Sequence, residues 1–547
     1  MNGWMKKTIV CLMMMLVPLG AAHAQTLSVR RADGVGSAVC AWEKSSGHHV
    51  LFLPAYMQGQ PLEIICDQRV RLGEMLLENG AVTDAVEDGV SLSLLNGIQV
   101  DVMASEILPA VHVATQSGSL EYIHKKKGNQ ETGHMQIITA AGEVVCDAPL
   151  DSIKGHGNAT FVYEKKSYQV KLEDKQAFLG MDEGKRFVLL ANQHENSLLR
   201  NRITFDLARA LDLPHTPECA SVDLFVNGEY RGSYLLCDKV TIASSSVDIT
   251  ESEDLLEAAN EAFIERGGEI QPYGANEYRK GSHKGALWPR EPEDVTGGFL
   301  LELEYQERYA DEASGVVTPK GQPVVVKEPE LMSAAQGAYV YSLLESFERA
   351  VFSPDGTDAV TGRHYTEIAD FDSLVAKYMI EEVSRNYDGN KSSQYFFKDS
   401  DGIDPMLYAG PVWDYDSAWG NFAKQGYMEL AEPTGLSVAR QGFDYSWWPA
   451  LYKQKDFAAE VRRVYDRRLR PMLEVLVGER ARQADDVVQP LDVYAAQLHA
   501  SAQMNFARWR VLNHKTRAVK TGATYEENIA YLRTWICERM AYLDKTW

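Results

Sequence analysis

Cysteine is scarce in this chain, with seven in 547 residues. No two of them form a Cys-x-x-Cys pair, and none stands with histidine at zinc-site spacing. A structural or catalytic zinc site is therefore not expected. The 13 histidines include no His-Glu-x-x-His, and Gly-x-Ser-x-Gly is also missing. These absences leave no motif for a zinc protease or an α/β-hydrolase nucleophile. Past the N-terminal segment, no run approaches the ~18 uninterrupted apolar residues of a membrane helix. Positive charge is in short supply as well: 55 Lys and Arg face 77 Asp and Glu, for a net charge of −22 at pH 7. That balance argues against nucleic acid as a partner. It suits divalent cations or a basic substrate. Internal repeats and low-complexity tracts are absent.

Apolar residues, by contrast, are plentiful at 45%, with 26 Tyr, 17 Phe and 10 Trp to fill a core. The length predicts roughly two to four domains. Lys6-Lys7, an apolar run from Thr8 to Leu19, and Ala22-His23-Ala24 read as a secretory signal over residues 1–24, with the mature chain starting at Gln25. The chain is thus expected to be exported to a periplasm, cell surface or extracellular space, with no transmembrane segment after cleavage. Six cysteines would remain, and export permits disulfides. Cys40–Cys66 and Cys219–Cys237 are near enough in sequence to pair, though other pairings stay open.

Residues 26–107 alternate as a small β domain, for example Val90-Ser91-Leu92-Ser93-Leu94. From 108 to 310 the pattern is mostly strand. It includes a helix near Asn196–Leu213 and an Asn227-Gly228 hairpin between two apolar runs. Residues 244–296 lack periodicity and read as a loop insertion. From 330 to 547 the pattern is mostly helical, and the fold class is α+β.

Two acidic motifs interrupt the helical part. One is Asn386-Tyr387-Asp388-Gly389-Asn390 and the other is Trp413-Asp414-Tyr415-Asp416. A carboxylate that can accept a proton, followed by a tight acidic turn, is the minimum equipment for phosphoryl transfer. The same set suits calcium, or a glycosidase pair with aromatic stacking.

The surrounding blocks decide between these readings. Ile153-Lys154-Gly155-His156-Gly157-Asn158, Lys165-Lys166-Ser167-Tyr168, Val188-Leu189-Leu190-Ala191-Asn192 with Leu199-Arg200-Asn201, the Asn227 hairpin and the two acidic motifs follow one another in order. Together they resemble the spore coat protein H (CotH) kinase-like family over about residues 108–547. That resemblance implies a highly diverged protein-kinase-like fold, preceded here by the β domain and ending in the helical region. It also implies ATP and Mg²⁺ (or Mn²⁺) as cofactors, and phosphoryl transfer to Ser/Thr of a secreted or envelope protein. It assigns Asp388 as the catalytic carboxylate. Asp414, with Asp416 and Ser393, would hold the metal, and Lys166 or Lys165, with His156, Asn158 and Arg200, would hold the phosphates. The chain departs from the family pattern in having His156 for Arg and Ala159 for Ser, and it has Ser393 where kinases often carry a metal-binding Asn. Those departures support an alternative, a catalytically weak or inactive kinase-like module that binds or builds at the envelope.

Overall fold

The computed structural model describes residues 27–45, 47–422, 430–440, 442–512 and 522–547. The expected secretion signal, residues 1–24, lies outside them. The architecture is mixed α+β.

Strands between Ser28 and Ala104 form a four-stranded and a six-stranded sheet. In Gln99–Ala104 the burial alternates, so Val100, Val102 and Ala104 face inward. They join Leu51, Leu53 and Ile64 in a cluster that also takes in Phe225, Tyr230 and Met504 from later in the chain. These sheets are therefore packed onto the rest of the molecule. Arg508 seals the joint. Its guanidinium lies 4.2 Å from the ring centroids of both Trp42 and Trp509 and pairs with Glu229 at 2.7 Å.

A closed seven-stranded barrel follows: β1 (Ala110–Thr115), β2 (Gln130–Ile138), β3 (Val144–His156), β4 (Ser167–Phe178), β5 (Met181–Leu190), β6 (Cys219–Val226) and β7 (Glu229–Asp238). Its order is β1-β2-β3-β4-β5-β7-β6, and a parallel β1–β6 pairing closes it. Closure removes the exposed edges that would invite association. The β6–β7 turn is Asn227-Gly228, with φ of +52° and +81°. This is the left-handed pair that a two-residue hairpin turn requires.

The second large sheet holds β8 (Gln271–Tyr273), β9 (Ser282–Leu287), β10 (Phe299–Leu303), β11 (Gly315–Val317), β12 (Pro323–Glu328), β13 (Gln394–Lys398) and β14 (Leu407–Ala409). Its order is β8-β9-β11-β12-β10-β13-β14. The expected loop at 244–296 is thus partly regular. It carries the helices Ser252–Ala259 and Glu261–Glu265 as well as β8 and β9. Its strands pair with each other and with β11, so tertiary pairing supplies the order that weak local periodicity did not signal.

Five helices matter for the site: α1 (Arg200–Ala210), α2 (Ala334–Phe352), α3 (Phe371–Ser384), α4 (Leu491–Arg508) and α5 (Tyr525–Thr546). Ser333 and Gln336 form a reciprocal capping box at the start of α2. Asp370 caps α3 by accepting from Ser373 N at 2.8 Å. Every residue of α3 from Ser373 to Ser384 is buried. Its charged side chains therefore need internal partners, which it finds beneath the site.

Neither cysteine pairing expected from the sequence is formed. Cys40 and Cys66 lie on opposite sides of the strand Ser28–Arg31. Two inter-strand steps of about 4.8 Å exceed the ~7 Å Cα limit for a disulfide. Cys219 and Cys237 face each other directly across β6 and β7, yet no disulfide joins them: the six cysteines among the described residues are free thiols. Among the described residues, no helix is long and apolar enough to cross a membrane.

Candidate active site

The site is a cleft of about 1200 Å³ between the barrel end, the second sheet and the two acidic motifs. Its floor comes from the loop joining α3 to β13 and from the turn after β14. Arg385 ends α3 with φ +51°, a left-handed cap that releases the chain from the helix. Asn386 Oδ1 then accepts from Asp388 N at 3.2 Å, and Asp388 O accepts from Lys391 N at 2.8 Å. The loop is a hydrogen-bonded turn that presents the Asp388 carboxyl. Ser393 and Asp414 both have positive φ, +56° and +67°. Such backbone is uncommon for non-glycine residues and costs free energy, so the surroundings must hold it.

One buried residue supplies much of that hold. Glu381 of α3 accepts from Asn386 Nδ2 at 2.8 Å and also from the Tyr415 hydroxyl. It thereby bridges the two acidic motifs. Its charge is balanced by Lys377, 2.9 Å away and equally buried. Tyr415 N donates to Asn201 Oδ1 at 2.8 Å, and Trp419 Nε1 donates to Thr204 Oγ1 at 2.8 Å, so α1 braces the second turn.

Asp388, Asp414 and Asp416 are half-buried, and Asp416 raises both of the others. Asp388 is pushed up to about 6, mainly by burial, with Asp416 and Glu304 adding to the effect and Tyr305 and Lys391 opposing it. Asp414 is held well above the usual carboxylate range by burial and then by Asp416, Asp388 and Glu302. Burial also raises Asp416, against the opposing effect of His194. Glu302 on β10 is pushed up to about 7 by burial, which Lys327 counters. The floor thus carries more negative charge than its burial readily tolerates.

The opposite wall is cationic. Lys127, Lys154, Lys239, Arg308 and Lys327 all line the cleft. Burial lowers Lys127, and Lys327, Arg308 and Lys154 lower it further, a sign of like charges converging. Burial works to lower Lys327 too, yet Glu302 and Glu312 outweigh it and leave its pKa raised. A chain of contacts joins wall to floor. Lys327 Nζ lies 3.7 Å from Glu302, Glu302 accepts from Ser393 N at 3.0 Å, and Ser393 Oγ lies 3.5 Å from Asp414.

Most of the residues expected from the sequence meet in this cleft: Asp388, Asp414, Asp416, Ser393, His156, Asn158 and Lys165. Lys166 and Arg200 are not part of its lining. Lys166 Nζ donates to the carbonyls of Phe161 and Tyr163 at 2.6 and 2.7 Å. Arg200 is 1% exposed, ion-paired to Glu195 and bonded to Trp419 O. Both are tied down as structural cations. Lys165 reaches the cleft but is fully buried. Its ammonium donates to Ala191 O and Ser233 O at 2.6 Å each, and burial pulls its pKa well below normal. His156 sits edge-on to Trp413 at 6.0 Å, and burial with nearby lysines lowers it to about 4, so it is neutral at pH 7.

Sequence reasoning missed the wall lysines, Arg308 and Tyr305. For Lys327 a signal existed: a single lysine closing the apolar run Val324-Val325-Val326. For the others, only the fold brings them to one place.

A cleft with an acidic floor and a cationic wall suits anionic ligands that carry a metal ion. The comparisons narrow the class. The model of the family described as CotH kinase protein matches residues 153–543, and the chain belongs to that kinase-like family. No curated protein matches the chain.

Proposed function

We propose that this chain is an exported phosphotransferase that moves the γ-phosphoryl group of ATP to a Ser or Thr hydroxyl of a secreted or envelope polypeptide. The observation that carries this reading is the single cleft in which three aspartates face five cations. Phosphoryl transfer needs little covalent help from the protein. It needs charge neutralisation and positioning.

In this reading the wall cations hold the phosphates, with Lys327 oriented by Glu302. Asp414 and Asp416 hold the divalent ion, with Ser393 beside them. Among the described residues, no three His, Cys, Asp or Glu side chains form a protein cage for a metal. Mg²⁺ commonly takes only one or two carboxylates and completes its shell with phosphate and water. The mutual repulsion of the floor carboxylates therefore fits an ion that arrives with the nucleotide. Bound there, the ion would supply neutralisation of the phosphate charge.

Asp388 faces the acceptor. With its pKa near 6 it is mostly ionised at pH 7 and can take a proton. The acceptor oxygen forms a bond to the γ-phosphorus, and the bond from that phosphorus to the β–γ bridging oxygen breaks with its electron pair leaving on ADP. The hydroxyl proton goes to Asp388. The strongly negative surface suits a basic polypeptide acceptor.

A direct test is transfer of labelled phosphate from ATP to basic peptides with Mg²⁺ or Mn²⁺. Transfer that is lost in Asp388→Ala supports the reading, and no transfer at any peptide or metal tested overturns it. A second reading, a binding module without catalysis, is favoured by one observation. His156, where the family carries arginine, is neutral at physiological pH and gives the phosphates no charge. Under that reading, Asp388→Ala leaves the protein's envelope role intact.

A further inference from the structure

Tyr305 lies outside the two acidic motifs, yet its hydroxyl reaches the Asp388 carboxyl. It follows β10 directly, and three contacts fix it. Its backbone N donates to Glu304 Oε1 at 2.9 Å. Its ring lies 5.7 Å from the Arg308 guanidinium, which in turn lies 3.6 Å from Glu304. Its hydroxyl donates to Asp388 Oδ1 at 3.0 Å. Burial and the neighbouring Asp388 raise the phenol well above its ordinary pKa, so it stays a donor at every physiological pH.

We propose that Tyr305 is a positioning residue that occupies Oδ1 of Asp388, fixes the carboxyl plane and leaves Oδ2 to receive the acceptor proton. This rests on the phosphotransferase reading above and adds a residue to it. A carboxylate on a turn can rotate about its last side-chain bond, and that torsion is broad and weakly defined. A fixed donor on one oxygen removes that freedom before the acceptor binds, which is the preorganisation that general-base catalysis needs. Four other groups face Asp388. Lys391 comes from its own loop, Glu304 from the β10 end, and Asp414 and Asp416 from the following turn. Tyr305 reaches the carboxylate from outside both motifs, with a 3.0 Å hydrogen bond to Oδ1.

Two measurements on the full chain test this. The first compares kcat, the ATP KM and the pH profile in Tyr305→Phe and the unaltered protein. The expected result is a roughly tenfold lower kcat, an ATP KM within about twofold, and an acidic limb moved to higher pH. The limb moves up because the lost hydrogen bond favoured the ionised carboxylate. An unchanged kcat and profile in an active protein overturns the proposal. If the unaltered protein transfers no phosphate, the phosphotransferase reading falls, and the second measurement still decides the contact. Here 3-fluorotyrosine replaces Tyr305 and its ¹⁹F resonance is followed from pH 5 to 7. A resonance that titrates with Asp388 present and stops titrating in Asp388→Asn supports the contact. A flat resonance with Asp388 present, or one that still titrates in Asp388→Asn, overturns it.

Discussion

The two sides of the cleft are built differently. The floor comes from two short contiguous motifs, Asn386–Ser393 and Trp413–Asn421, clamped from below by buried, hydrogen-bonded side chains. Glu381 joins both motifs, and Glu382 beside it pairs with the buried Arg539 at 2.9 Å and accepts from Ser437 N and Ala439 N. The wall comes from five cations spread from Lys127 to Lys327, carried on separate elements and partly in solvent. A floor held by a buried network keeps its geometry, which suits proton acceptance and ion placement. A wall of long, half-exposed cations supplies charge that tolerates small displacements, which suits the holding of phosphates.

The sharpest way to break this comparison is to remove one floor carboxylate at a time. Asp388→Ala should lower kcat by about 10²–10⁴-fold while nucleotide binding persists. Asp414→Ala should remove metal-dependent nucleotide binding itself, read by equilibrium titration. Equal effects of the two substitutions on binding would erase the division of roles.

Next in size is the clamp. Glu381→Leu strands the Lys377 ammonium, which is fully buried. Leaving one member of a buried pair alone costs about 3–5 kcal/mol. Denaturant unfolding of the variant should show a loss of that order. A loss under about 1 kcal/mol would mean that the floor is not held from below.

A wall substitution should act more mildly. Lys327→Met removes a charged contact worth about 1.5–3 kcal/mol, so the ATP KM should rise by roughly ten- to a hundredfold with kcat less affected. If kcat collapses while KM stays the same, Lys327 belongs with the floor.

A further test concerns pH. The Asp388 pKa is raised on folding, so the native state holds its proton more tightly than the unfolded chain does. Its contribution to stability is complete below about pH 4 and is lost as pH rises through about 6. Asp388→Asn should therefore stabilise the fold at pH 7 and do so far less at pH 4. A variant less stable at pH 7 would reverse the sign of this argument.

The same contrast explains what the sequence made legible. The floor could be read because its carboxylates sit in contiguous aromatic, turn-rich motifs. The Asn227-Gly228 turn and the helix around Arg200–Ala210 could be read because their signals are local. The wall could not, because Lys127, Lys239 and Lys327 converge only once the barrel closes and β12 pairs with β10. The sequence favoured Lys166 over its neighbour Lys165 as the phosphate lysine. The fold turns one toward the Phe161 and Tyr163 carbonyls and buries the other, and no local pattern encodes that choice. Residues 244–296 read as loop because β8 and β9 are short and gain their order from partners elsewhere in the sheet.

The central claim is that floor and wall together bind a metal–nucleotide. The most direct measurement is thermal unfolding of the full chain titrated with ATP plus Mg²⁺ or Mn²⁺, alongside Asp414→Ala. Ligand that binds the native state raises the midpoint progressively with concentration. The account predicts a rise that needs both ATP and metal and disappears in Asp414→Ala. No rise at millimolar ATP and metal, or an equal rise in Asp414→Ala, would contradict it.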